Sequence, residues 1–101
     1  MFKLQPKPTF WARVPITVPG QAKPEIVEME FRYVPEEERQ KLLSGRTTED
    51  FLLDVVIGWR DVDADFSVDN LKRLFANHAR SQLDVLETFN RELFGAREKN
   101  S

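Results

Sequence analysis

The chain has 101 residues, no cysteine, 32% charged residues and a formal net charge of −2. That length suits one domain, and the absence of thiols excludes a disulfide framework and cysteine-based metal or redox chemistry. An apolar fraction of 41%, with eight Phe and two Trp, is too high for a disordered chain and supplies one modest core.

Residues 1–9 contain Pro6 and Pro8 and predict an extended N-terminal arm. From residue 10 to 18 the pattern alternates. Ala12, Val14, Ile16 and Val18 point one way, and Trp11, Arg13, Pro15 and Thr17 the other. Pro15 cannot donate to a ladder, so this strand belongs at an edge. Pro19-Gly20 opens a turn and Lys23-Pro24 closes it. Val27, Met29, Phe31 and Tyr33 then alternate with Glu28, Glu30 and Arg32. The two runs predict a β-hairpin over residues 10–34, which is marginal alone and needs helices on its apolar face.

Pro35, Glu36, Glu37 and Glu38 begin a short solvated helix that Gly45 stops. Next, Phe51, Leu52, Val55, Val56 and Trp59 recur at helical spacing, so the pattern predicts a helix from Thr47 or Thr48 through Trp59. Phe51 and Trp59 are its anchors, with Gly58 allowing close packing at its end. The acidic loop at Asp61, Asp63 and Asp65 follows. Ser67 caps another helix, anchored by Leu71 with Phe66 just before it. Past Phe75 the helical period continues to Phe94. One long helix and two helices both fit, and the low apolar density at residues 76–82 together with Ser81 as an N-cap favours two. Leu83, Leu86, Phe89, Leu93 and Phe94 share a stripe, with Asp84, Glu87 and Arg91 opposite. Gly95 ends the helix and residues 95–101 form a polar tail.

The expected fold is therefore α+β in a single domain. An N-terminal antiparallel β-hairpin, extendable to a small sheet, is followed by three to four helices over residues 35–94, packed on one face.

Chemistry is sparse. Asp61, Asp63 and Asp65 imitate the opening of a calcium loop, but Phe66 stands where the loop needs Gly and Lys72 where it needs a bidentate Glu, so no metal is expected. His78 is the only histidine and has no motif around it, and neither a nucleophile motif nor a phosphate-cradling loop is present. No enzyme and no cofactor are expected. Residues 35–65 hold nine acidic and four basic groups, and the nearest approach to a basic patch is Lys72, Arg73 and Arg80. Nucleic acid is not an expected partner, since phosphate affinity needs several uncompensated cations. The opening MFKLQPKPTFW lacks a signal peptide's apolar run, and no segment approaches the roughly 20 apolar residues of a membrane span. What remains is binding. Trp11 opposes its strand's apolar set, either covering the sheet's second face or facing a partner. The last stripe is either core or an element for a partner's groove.

Residues 51–74, FLLDVVIGWRDVDADFSVDNLKRL, resemble the signature of the tail assembly chaperones of long-tailed, lambda-like phages and prophages. That signature is a helix ending in Trp, an acidic segment, a Phe-Ser pair and a Leu-rich helix. Here Leu52, Val56, Trp59, Asp61, Phe66, Ser67, Leu71 and Leu74 carry it. The hairpin with Trp11 near its start, and Gly95, Ala96, Lys99 and Asn100 near the end, are similar too. Family members often break the chain before the last helix, where Ala79-Arg80-Ser81 stands here.

The resemblance implies a non-catalytic protein of the bacterial host cytoplasm, not retained in the mature virion. It would coat and solubilise the tape-measure protein and promote tail tube assembly. It also allows the tail tube protein as a second partner and assembly with further copies of the chain. Trp11, Leu86, Phe89, Leu93 and Phe94 are the expected partner contacts. A small adaptor or regulatory interaction domain is the alternative. Glu98-Lys99-Asn100 further permits the slippery codons of a translational frameshift, which the family uses to make a longer product.

Overall fold

A computed structural model describes residues 1–95. The family-like Ala96, Lys99 and Asn100, and the frameshift triplet at 98–100, lie outside the described residues. Strands β1 (Thr9–Ile16) and β2 (Glu25–Arg32) form the expected hairpin. Helix α1 (Glu36–Leu43) and helix α2 (Thr48–Val55) follow, then strand β3 (Val56–Arg60), helix α3 (Val68–Asn77) and helix α4 (Ser81–Phe94). The fold is α+β: among the described residues, a three-stranded antiparallel sheet in the order β1-β2-β3 with four helices.

The strand period sorts the sheet's faces as the alternation predicts. Ala12, Val14, Ile16, Met29 and Phe31 are buried beneath the helices, while Trp11 and Arg13 stand on the other face. Val18 and Tyr33 break the pattern, the first half-buried and the second exposed; both lie outside the two strands, Val18 past the end of β1 and Tyr33 past the end of β2. Pro15 sits on an edge strand, where its missing N–H costs no ladder bond.

The main correction concerns residues 56–60. The chain leaves the helix after Val55 and passes directly into β3, so Trp59 lies on a strand and not at a helix end. Two causes act together. Val55, Val56 and Ile57 are β-branched in succession, and Gly58 weakens any helix through it. The free side of β2 also offers a ladder, which β3 takes with Glu28 opposite Arg60, Met29 opposite Trp59 and Glu30 opposite Gly58. An added Cβ at Gly58 would stand 3.3 Å from Oε1 of Glu30, so the glycine permits that close approach. A register shift at Glu30/Phe31 brings Val56 opposite Phe31 and returns it to the core.

The caps explain the other boundaries. Thr47 Oγ1 accepts from Asp50 N at 3.1 Å, and Ser67 Oγ from Asn70 N at 3.0 Å. The break between α3 and α4 falls at residues 78–80. Ser81 does not cap there: its hydroxyl donates to the carbonyl of His78 at 2.8 Å. Gly95, with φ of +78°, closes α4.

At the centre of the core lies Phe89, with no exposed surface. Its ring centroid is 5.4 Å from Phe31, 5.6 Å from Phe51 and 6.1 Å from Phe10. Phe51 and Leu71 are fully buried around it. The inward stripe of α4 is Ser81, Asp84, Val85, Thr88 and Phe89. This is rotated from the stripe expected of the sequence, and Leu83 is left 52% exposed.

Candidate functional site

The end of α4 carries the first surface. Leu93 is half-buried and, with Pro6, Lys7, Thr9, Phe10, Tyr33 and Glu92, lines a shallow groove of about 270 Å³. Phe94, one residue on, is 43% exposed and carries the guanidinium of Arg39 4.9 Å above its ring. Leu86 is half-buried on the same helix. Phe89, expected at this surface, lies wholly inside, so it cannot touch a partner without opening the core. A helical stripe places a residue on a face; only the sheet beneath decided how deep Phe89 would sit.

The sheet's helix-free face carries the second surface. Trp11, Arg13, Glu28, Glu30 and Arg60 share it by the pairing register. The Arg60 guanidinium lies 4.1 Å from the Trp11 ring centroid, and its Nε donates to Glu28 at 2.5 Å. Trp11 therefore both covers part of the second face and remains 41% exposed. Arg60 is invisible as its partner from sequence, because residues 56–59 read as helix and put Arg60 at the start of the loop.

A slot of about 160 Å³ lies between β3 and α3, lined by Val27, Trp59, Val62, Leu74, Asn77 and His78 among others. Trp59 floors it and is fixed there. Its Nε1 donates to the carbonyl of Ala64 at 2.9 Å, and its ring meets Phe66 edge-on at 5.4 Å. The two anchors thus fold the acidic loop back onto the sheet. Asp61 starts that loop at φ +63°, a conformation Asp tolerates better than most residues. Among the described residues, no three His, Cys, Asp or Glu side chains gather as a metal site. His78 borders the slot; its carbonyl accepts from Ser81, and among the described residues no carboxylate or hydroxyl bonds to its imidazole.

Buried polarity is concentrated in Asp84, 5% exposed on α4. It accepts from Thr17 N at 2.8 Å and Thr17 Oγ1 at 3.3 Å, and pairs with Arg80. The hydrogen bond to Asp84 first, and then the charge of Glu87, push the Arg80 guanidinium above its ordinary value. Arg32 ties the helices to the sheet in the same way, donating to Glu38 at 2.8 Å and Asp54 at 3.1 Å.

None of these places joins a nucleophile to a base. Two surfaces remain, one apolar at the end of α4 and one around Trp11 among charged side chains, and the family comparison says what sort of protein presents them. A model described as phage tail assembly chaperone matches residues 1–100. The chain belongs to that family. Its members are chaperones of tail assembly, which suggests a protein that works by binding other assembly proteins rather than by catalysis. No curated protein and no solved structure matches this phage tail assembly chaperone. Among its described residues, no helix is long and apolar enough to cross a membrane.

Proposed function

We propose that this chaperone coats the tape-measure protein in the host cytoplasm, holds it soluble, and leaves as the tail tube forms around it. The observation that carries the reading is the family match along residues 1–100. The Leu93–Phe94 end of α4 supplies the physical means, since exposed apolar surface beside polar residues suits the masking of another protein's apolar stripe. The acidic middle of the chain keeps a heavily coated complex soluble by mutual repulsion. Leu86 is half-buried and packs against the core, so it offers a partner less area than Phe94. Trp11 belongs to a different face, with Glu92 standing between the two surfaces.

Co-expression with the tape-measure protein tests this. The native chain should raise the soluble tape-measure yield and co-purify with it. Leu93→Asp and Phe94→Asp together should abolish co-purification while the circular dichroism spectrum stays native-like and the melting temperature, lowered by the half-buried Leu93, stays above the assay temperature. Undiminished binding by a folded double variant would remove this surface from the account.

A further inference from the structure

The backbone of β1 carries a second binding element along its free edge. Tyr33 N donates to the Pro8 carbonyl at 2.8 Å, which makes Pro8 and Tyr33 a hydrogen-bonded rung. The register then runs without irregularity along β1, so the bonded rungs are Phe10–Phe31, Ala12–Met29, Val14–Val27 and Ile16–Glu25. By alternation, the N–H and C=O of Thr9, Trp11 and Arg13, and the C=O of Pro15, point away from β2. Thr17 is the next in that outward series, and its N–H does face outward, to Asp84. Among the described residues, nothing else takes up this edge: no acceptor meets the N–H of Trp11 or Arg13.

Edges are usually guarded by shortness, bulges, proline or charge. The opposite edge is so guarded: β3 has five residues, a register shift and Gly58. β1 has eight residues, no bulge, and its single Pro lies near its end.

We propose that a second copy of this chain pairs with β1 antiparallel about Ala12, joining two sheets into one. Outward residues meet outward residues in such a pairing. Trp11 and the partner's Arg13 exchange both backbone bonds, and Thr9 donates to the carbonyl of the partner's Pro15. That proline closes the ladder without stranding a donor.

The side chains fit the same register. On the helix-free face the partner's Arg13 comes beside Trp11, on the side away from Arg60, so the ring lies between two guanidinium groups. Glu92 lines the same groove as Trp11, Ala12 and Arg13 and offers the incoming guanidinium a carboxylate. The partner's Lys7 comes opposite Thr17, where Asp84 and Glu87 are already paired with Arg80, so it adds no new ion pair to the register. On the helix side Ala12 faces its own copy, and its small side chain lets the two α4 helices approach. Sliding the register to centre on Arg13 would set two like charges opposite each other, and centring on Trp11 would forfeit both Trp–Arg contacts. The contact is small beside the roughly 1,200–2,000 Å² of a stable interface, so the dimer exchanges readily.

Sedimentation equilibrium over about 10 µM to 1 mM tests the pairing. The native chain should move from monomer mass toward twice that mass. Arg13→Pro removes only an outward N–H, as Pro15 already does, so the fold should persist while dimerisation weakens at least about tenfold. Arg13→Glu keeps the N–H but brings a carboxylate to Glu92, and should weaken it comparably without touching the backbone. A native chain that stays monomeric throughout overturns the proposal. So does a dimer that survives both variants, and if Arg13→Pro fails to fold, Arg13→Glu decides alone.

Discussion

The two faces of the sheet use the same aromatic chemistry to different ends. On the covered face, Phe89 meets three other rings and keeps no contact with water. On the open face, Trp11 meets one guanidinium and stays 41% exposed. An aromatic packed by rings is committed to the fold. One packed by a single surface cation keeps area available, because a guanidinium covers only part of the ring. Exposure, not residue type, separates the core of this chaperone from its surfaces.

The sharpest way to break that contrast is at its buried pole. Phe89→Ala should destabilise the protein by about 3–5 kcal/mol, a large share of a small domain's stability. Urea unfolding followed by circular dichroism measures it, and a loss below about 1 kcal/mol would place Phe89 at the surface after all. Next in size is Asp84→Ala, which removes the acceptor for Thr17 and leaves Arg80 without its closest carboxylate. A cost of about 2 kcal/mol is expected, and less for Asp84→Asn, which still accepts one bond. Equal stability in both variants would show that the clamp between α4 and the end of β1 carries no weight.

How far the faces could be read from sequence follows the range of the interactions. Ala12, Val14, Ile16, Met29 and Phe31 were legible because a period of two is a local property of the backbone. The break between α3 and α4 was legible from a drop in apolar density. β3 was not, since Leu52, Val56 and Trp59 fit a helical spacing and only the vacant side of β2 turned those residues into a strand. The sequence clue to β3 is the β-branched run Val55, Val56, Ile57. Asp84 looked solvent-facing for a comparable reason: its partner Thr17 is 67 positions away, and no local pattern announces such a bond. For the surfaces, Leu93, Phe94 and Trp11 carried enough apolar area to be noticed, but Phe89 looked the same, because periodicity fixes direction and not depth.

A smaller effect sharpens the comparison at the covered edge. Arg32 links β2 to α1 and α2 through Glu38 and Asp54, with a third of its side chain exposed. Arg32→Met retains the aliphatic stem and should cost about 1 kcal/mol, since screening discounts partly exposed pairs. A thermal melt compared at low and at high salt checks it. The difference between native and variant should shrink as salt rises, and a salt-independent gap would assign the loss to packing.

The smallest effect probes the open face itself. If Trp11 and Arg60 interact only with each other, Trp11→Ala, Arg60→Met and the pair together should close a cycle with a coupling of about 0.5–1 kcal/mol, measured in dilute protein where copies are apart. Glu28 complicates the reading, because it holds Arg60 in place. Repeating the cycle in Glu28→Gln separates the two contributions. A coupling that survives the change belongs to the ring and the guanidinium; one that vanishes means the carboxylate positions Arg60 and Trp11 merely lies beneath it. In that second case Trp11 is held by nothing specific, and its retention of apolar area would owe more to the partner it meets than to the face it stands on.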